Sequence, residues 1–293
     1  MEQVFYLEKR LEYQQPGIFI HMKVYCIIGD ERVFHAKSTA IFSAILKRLG
    51  IKGAYVPFKV APDQVGQALH SFRVLNIAGA NVTVPYKEAV IPHLDILSEG
   101  ANIIGAVNTI IRNGDELKGY NTNAIGFMDS LNDVGFDADG KSALVCGTGG
   151  AAKAVVFILN WLRTDTVIVA GRDEEKTRQI VNRFSGEARP INTLPDQPLS
   201  VNILVNATSV SSTDESPELA ALMERLDVQD CELVLDLNYG RSNNFWQDMA
   251  LRNGIRFMDG LSTLANQARR TFALWTGVQV PSEEFLKVIN EIL

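Results

Sequence analysis

The stretch KSALVCGTGGAAKAVVFILNWL, residues 141–162, decides how this chain is read. Ser142 to Cys146 is a short apolar run, as expected of a strand buried on both faces. Gly147, Thr148, Gly149 and Gly150 then interrupt it, and an apolar helical segment follows from Ala151. A strand, a glycine turn and a helix in that order are the opening of a dinucleotide-binding α/β unit. The glycines permit a tight turn and a close approach of backbone to phosphate, and the helix start offers unpaired N–H groups and a positive dipole end. GTGGAA ends on Ala152 where the full G-x-G-x-x-G pattern ends on glycine, a replacement the turn accepts. A tight turn serving only packing is the competing reading, and the strand and helix on either side count against it.

Working outward, the pattern repeats. DTVIVAGRDEEKTRQIVNRF (165–184) is again strand then helix, and VNILVNATS, CELVLDLNY and GIRFMDG supply further apolar strands. Near-continuous apolar strands between helices suit a parallel sheet covered on both faces. INTLPDQPLS and SSTDESPE read as polar connections. At the edge of the second strand an acid would bind ribose hydroxyls, whereas a cation would pair with a 2′-phosphate. Here Arg172, Asp173 and Lys176 offer both. The balance favours NADP, with NAD as the other option. Arg172 and Lys176 could also be solvated charges at a helix start.

On the other side, residues 23–124 form an earlier α/β block. KVYCIIG and GAYVPFKV read as strands. STAIFSAILKRLG reads as a helix, with Ile41, Phe42, Ile45, Leu46 and Leu49 on one stripe and Gly50 as its stop. PDQVGQALHSFRVL is a second helix, and GANVTVPYKEAVIPHL is strand, turn, then helix. AVNTIIRNGDELKGYNT is a hairpin turning at Asn113-Gly114. The last segment, 261–293, is helical apart from one turn and could return to pack on the first block. The expected architecture is therefore α/β with two domains. A discontinuous domain of 23–124 and 262–293 holds the substrate, and a Rossmann-type domain of 125–261 holds the dinucleotide.

The 293 residues carry a net charge of −6 and a pI of about 5.3, which argues against nucleic acid or an anionic membrane as partner. Four scattered histidines and three scattered cysteines show no metal-ligand spacing, so no metal is expected, and Cys26 and Cys146 fall within apolar strands as buried thiols. No apolar run is long enough to span a bilayer. Residues 1–21 lack a secretory pattern, and Met22 directly precedes a strand, so 1–22 reads as an extension of a cytoplasmic chain, monomeric or homodimeric.

NVTVPYKE sets Lys87 just after a strand and a proline turn. Oxidising an alcohol removes a hydride from carbon and a proton from oxygen. A nicotinamide takes the first, and a side chain must take the second. A lysine can do so once its pKa falls from about 10.4 toward neutrality. A lone lysine after a strand is otherwise a surface charge.

With these motifs in hand, the chain resembles the shikimate and quinate dehydrogenase family. The likeness is carried from residue 23 onward by NVTVPYKE, GAVNTI, GYNTNAIGF, GTGGAAKA, VNATS and DGLSTLANQA, in that order. The resemblance implies reversible NADP-dependent reduction of 3-dehydroshikimate to shikimate. It implies Lys87 as the catalytic lysine. Ser38, Asn81, Thr83, Asn108, Tyr239 and Gln267 fall at substrate positions. Gly147, Thr148, Gly149, Gly150, Ala151, Arg172 and Lys176 fall at the cofactor phosphates, and Leu237 and Gly260 at the nicotinamide. Each substrate position has a plain structural alternative: Asn108 a strand cap, Tyr239 a packed ring, Gln267 a helix-surface amide.

Three departures bear on the chemistry. Asn123 stands where the family usually has aspartate, Ala36 stands where it has the first of two serines, and Tyr239-Gly240-Arg241 replaces Tyr-x-Pro, with GDERVF replacing Gly-Asn-Pro after the first strand. Ser38, the second serine, either meets the substrate or caps the helix from Thr39. An aspartate about 4 Å from Lys87 would stabilise the ammonium by at most about 4 kcal/mol at an effective dielectric of 20. Asparagine removes that attraction and cannot relay a proton, yet it can still hydrogen-bond a hydroxyl. The expectation is retained binding and a slower chemical step. Arg241 either replaces lost carboxylate contacts or is solvated. The alternatives are a relative acting on quinate, aminoshikimate or another hydroxy acid, or a catalytically weak NADP-binding homologue.

Overall fold

A computed structural model describes residues 22–293. The expected extension therefore lies, except for Met22, outside the described residues. The chain forms two compact units. The first runs up to Leu97 and adds Val107–Gly119 and Arg269–Ile292; the second is Ser98–Ala106 with Tyr120–Ala268.

The first unit is built on a mixed sheet. Its strands are β1 (Lys23–Gly29), β2 (Gly53–Lys59), β3 (Ile77–Val82), β4 (Ile96–Leu97), β5 (Thr109–Asn113) and β6 (Glu116–Tyr120), in the order β2-β1-β3-β5-β6-β4. β1 runs parallel to both β2 and β3, and β5 is antiparallel to β3. Helices α1 (Ser38–Arg48) and α2 (Val65–Val74) follow β1 and β2. The stripe of α1 buries Ile41, Phe42, Ile45 and Leu46, whereas Leu49 is exposed as the C-cap. The segment after β3 forms turns and a short 3-10 stretch at Ile91–His93 in place of the expected helix. Pro85 and Pro92 each withhold a backbone donor there. The hairpin turn is also one residue later than expected, because Asn113 stays in β5 and Gly114 takes the positive φ of +60°. Glycine first in a two-residue loop is the type II′ choice.

The C-terminal segment completes this unit's core. Trp275, late in α9 (Leu261–Thr276), stacks on Tyr25 of β1 at 4.8 Å and donates its ring N–H to Ile110 O at 3.0 Å. Phe285 of α10 (Ser282–Ile292) packs on Phe42. Gly79 is needed here, because a Cβ on it would sit 2.3 Å from the Trp275 ring.

The second unit holds a parallel sheet of β7 (Ser142–Cys146), β8 (Thr166–Gly171), β9 (Glu187–Pro190), β11 (Ile203–Asn206), β13 (Leu233–Asp236) and β14 (Arg256–Met258). The order β14-β13-β11-β7-β8-β9 is the doubly wound arrangement, with its switch point between β7 and β11. A separate pair is β10 (Leu199–Ser200), within the stretch read as a polar connection, and β12 (Val228–Gln229). Alternate residues feed two cores. Ala143, Val145, Val167, Val169, Val205 and Leu235 face α4 (Thr122–Asp133), α5 (Gly150–Trp161) and α6 (Glu174–Phe184). Leu144, Cys146, Ile168, Leu204 and Val234 face α7 (Pro217–Glu224) and α8 (Phe245–Arg252). That two-sided burial is why the strands read as unbroken apolar runs.

The unit boundaries differ from the sequence expectation at three places, one of them the start of α4, since residues from Tyr120 on belong to the second unit. Helix α3 (Glu99–Ile104), not foreseen, packs in the second unit, where Arg183 donates to Ile103 O at 2.8 Å and Asn102 O at 3.1 Å. The first half of α9 also stays there, because Gly126 of α4 lets Gln267 approach and Ser130 bonds Thr263 at 3.1 Å.

Candidate active site

In the first unit, the predicted residues gather where parallel β1 and β3 end, the side of an open α/β sheet that takes ligands. Thr83 follows β3 directly; its N–H bonds Ile28 O at 3.0 Å. Lys87 lies four residues on, and its carbonyl accepts from Val107 N–H at 2.7 Å, which ties the NVTVPYKE loop to the GAVNTI segment. The residue is half-buried, and desolvation of its amine lowers the pKa from 10.5 to about 8. Burial disfavours the charged form, so the base form is accessible near neutrality.

Asn81 spends its amide inside the protein. Its Oδ1 accepts from the Tyr55 hydroxyl at 2.8 Å, and its Nδ2 donates to Asn108 O at 3.2 Å and Thr109 Oγ1 at 3.3 Å. Thr109 in turn meets Thr271 Oγ1 at 3.1 Å. Tyr55, which sequence reading missed, fixes which way Asn81 points; its place on an apolar strand gave no sign of this. Asn108 is buried beside it, and its carbonyl also accepts Val82 N–H at 2.9 Å, in keeping with the strand-end alternative. Ser38 does not cap α1. The helix starts on Ser38 itself, Lys37 is the N-cap and makes no side-chain bond, and the enclosed Ser38 hydroxyl lies against the Tyr55 hydroxyl. Ala36 ends the preceding 3-10 turn, which Asp30 caps by accepting from Arg32 N–H at 3.1 Å. That cap is the local reason GDERVF can replace Gly-Asn-Pro.

In the second unit, Gly147 has φ +125° and lies against β11's exit; a Cβ on it would be 2.7 Å from Ala207 O. At Gly149 an added Cβ would meet nothing within 4 Å, and no side chain caps α5. Gly150 and Ala151 open α5, so the free N–H groups of this helix start suit the pyrophosphate of a dinucleotide. Thr148 packs its methyl where a Cβ at Gly171 would fall, 2.5 Å away. The end of β8 therefore has no room for the acid that takes ribose hydroxyls. Asp173 is committed instead as the α6 N-cap, accepting from Lys176 N–H at 3.1 Å and pairing with its Nζ at 3.2 Å. Arg172 stands exposed beside them. The residues present fit a 2′-phosphorylated dinucleotide.

Leu237, Tyr239 and Gly260 share one stretch of the second unit. Gly260 donates to Asn238 O at 2.9 Å, and a Cβ on it would strike Leu237 O at 2.2 Å. Tyr239 is half-buried, and burial raises its pKa. Arg241 pairs with Glu215 at 3.1 Å, so it is neither simply solvated nor available to a substrate carboxylate in this state. Gln267 is half-buried on α9 against Gly126, more than a helix-surface amide. Asn123 is the second residue of α4, half-buried, while its neighbour Asn121 is the N-cap, accepting from Ala124 N–H at 3.2 Å and donating to Ala106 O at 3.0 Å. Among the described residues no His, Cys, Asp or Glu cluster could hold a metal. No helix among them is long and apolar enough to cross a membrane.

A doubly wound sheet with an open glycine turn, in one chain with a desolvated lysine, defines a dinucleotide-dependent oxidoreductase. Residues 27–110 match the family description "Shikimate dehydrogenase substrate binding domain", and residues 131–241 match "Shikimate / quinate 5-dehydrogenase". The chain belongs to the shikimate dehydrogenase family. It is similar to a shikimate dehydrogenase (NADP(+)) of Caldanaerobacter subterraneus, 36% identical over 87% of this chain and 92% of that one. It is also similar to the Thermus thermophilus shikimate 5-dehydrogenase solved with NADP(H) and shikimate, with TM-score 0.81, 31% identity, and coverage of 93% and 100%. A 5-ketofructose reductase of Gluconobacter shares the fold at TM-score 0.80 and 25% identity, covering 94% and 100%.

Proposed function

We propose that this chain is an NADP-dependent shikimate dehydrogenase that reversibly reduces 3-dehydroshikimate to shikimate. The observation that carries the reading is Lys87, an amine brought down to about 8 at the ligand-facing end of the first sheet. NADP, when bound, takes or returns the hydride. Gly147 to Ala151 would hold its pyrophosphate, Arg172 and Lys176 its 2′-phosphate, and Leu237 and Gly260 would border the nicotinamide. Neutral Lys87 takes the hydroxyl proton during oxidation, and its ammonium returns it during reduction. Asn123 accepts or donates one hydrogen bond at a substrate hydroxyl and carries no proton. Ser38, Thr83, Asn108, Tyr239 and Gln267 orient the substrate, with Asn81 bracing Asn108. Residues 23–124 with 262–293 serve the substrate and 125–261 serve the cofactor.

A second reading, a different hydroxy acid, is favoured by Ala36, which stands where the family has the first of two serines. Buried polar groups penalise a substrate that leaves them unpaired, so such changes shift specificity. The test is NADPH formation from NADP with shikimate, quinate and aminoshikimate in parallel. Turnover confined to shikimate supports the first reading. Faster turnover of another substrate supports the second, and NADP binding without turnover of any would leave a binding protein. Lys87→Ala should abolish whichever turnover is seen, and retained activity would remove Lys87 from the mechanism.

A further inference from the structure

Asp236 ends β13 with a carboxylate buried to 0% exposure, and the chemistry proposed above gives it no task. Four N–H groups converge on it. Asn206 Nδ2 donates to Oδ1 at 2.8 Å, the Asn238 backbone N–H at 3.0 Å and Asn238 Nδ2 at 3.1 Å to the same oxygen, and Asn244 Nδ2 to Oδ2 at 2.8 Å. These donors come from the end of β11, the loop after β13 and the N-cap of α8. An apolar residue would be the easier choice for such a buried position. Its two oxygens take donors from three chain segments, two segments on Oδ1 and the third on Oδ2.

What those segments hold is the candidate nicotinamide end of the site. Asn238 stands between Leu237 and Tyr239, and its carbonyl receives the Gly260 N–H. Its amide also donates to Thr208 O at 3.0 Å and Ser211 Oγ at 2.9 Å. Asn206 Oδ1 accepts Thr208 N–H at 3.0 Å and Thr208 Oγ1 at 2.7 Å, which shapes the exit of β11 against Gly147. We infer that Asp236 is a positioning residue: through Asn206, Asn238 and Asn244 its carboxylate sets Leu237, Tyr239 and Gly260 in place for hydride transfer. The inference rests on the dehydrogenase reading. The residues assigned to the cofactor phosphates lie after β7 and β8 and at the starts of α5 and α6, with Gly147 the one that touches this network, so the loss should fall far more on turnover than on cofactor affinity.

Two variants test this. Asp236→Asn keeps the shape but puts an NH2 against a donor. Asn244→Ser keeps an N-cap for α8 and removes only the bond to Oδ2, so it reports even where the first variant folds poorly. NADPH affinity and nicotinamide emission are read by fluorescence, folding by circular dichroism, and turnover with the substrate the wild type accepts. Displacement of about 1 Å at a reacting centre costs about 100-fold in rate. The expected result is kcat lowered about 100-fold in Asp236→Asn and about 10-fold in Asn244→Ser, NADPH affinity within about threefold of wild type, and altered nicotinamide emission. Unchanged kcat with unchanged emission in a folded variant overturns the inference. So does a proportional loss of kcat and NADPH affinity, which a merely structural role would give. Should the wild type turn over no substrate, the dehydrogenase reading has failed, and the emission of bound NADPH alone decides the positioning role.

Discussion

Asn121 and Asn123 lie two positions apart and do different work. Asn121 faces inward as the cap of α4, and Asn123 sits in the first helical turn, where backbone N–H groups favour a negative charge. Asn123→Asp should therefore stabilise the fold slightly, by about 0.3–1 kcal/mol, and also restore a proton acceptor. The expected outcome is kcat raised about tenfold or more with NADP affinity little changed, measured in steady state; an equal or lower kcat would exclude a relay at this position. For Lys87 the pH dependence has a definite sign. Alcohol oxidation should rise with pH through about 8, as the ammonium gives up its proton, and ketone reduction should fall through the same point. A pH–rate profile flat across that range would remove the lysine as the proton acceptor. The folded-state pKa is depressed, so the desolvation cost is fully present below about 8 and vanishes as pH rises past the unfolded value of about 10.4. Lys87→Met should thus gain about 1–3 kcal/mol in urea unfolding at pH 7 and nothing near pH 11, while losing turnover.

At the level of elements, the turn between β7 and α5 separates two uses of glycine. Gly147 is locked by φ +125° and by Ala207 O, so Gly147→Ala should lower stability by about 1–3 kcal/mol, seen as a drop in Tm. Gly149 has φ −83° and an open face. Gly149→Val should fold as wild type yet weaken NADP binding at least tenfold in a fluorescence titration, because its side chain stands where phosphate approaches. Equal affinity would place the pyrophosphate elsewhere. At the start of α6, Asp173→Ser keeps a cap and frees Lys176 from its carboxylate partner. The ratio of NADP to NAD affinity should rise a few-fold, about what one nearby exposed charge is worth. A rise that came from weaker NAD binding, with NADP affinity unchanged, would mean the carboxylate holds ribose after all.

For the whole molecule, the roles proposed for the two compact units predict a main footprint for each ligand. Hydrogen exchange with NADP should slow in peptides from 142–176 and 203–260, and shikimate should slow exchange in peptides from 24–41 and 77–110. Saturation at 100 times Kd adds about 2.7 kcal/mol to the unit that binds, enough to make the footprints readable. Shikimate protection confined to the second unit would contradict the roles given to Asn81, Thr83 and Lys87. Each footprint follows from which strands end at the ligand side of which sheet, so the experiment also checks the division of the chain.

Local pattern carried much of this. Alternation of apolar strands and helices was enough for the α/β class, and the glycine turn was enough to place a strand–turn–helix of the dinucleotide-binding kind, because those signals reside in a few consecutive residues. The misplacements have a local cause too: Gly114, rather than Asn113, is the residue able to take φ +60° first, and Pro92 withholds the N–H that a helix from Lys87 onward would need. What neighbours in sequence could not announce was left to the tertiary structure. Tyr55 reaches Asn81 across 26 residues, Asn206 reaches Asp236 across 30, and Trp275 closes a core begun by Tyr25 250 residues earlier. A charge ending the apolar run LVLD hinted at Asp236, but only the pairing of β11 with β13 brings its amide partners to it. Hydrogen bonds and desolvation depend on what surrounds a group in space, and that is set by strand order and packing, which short-range periodicity does not encode.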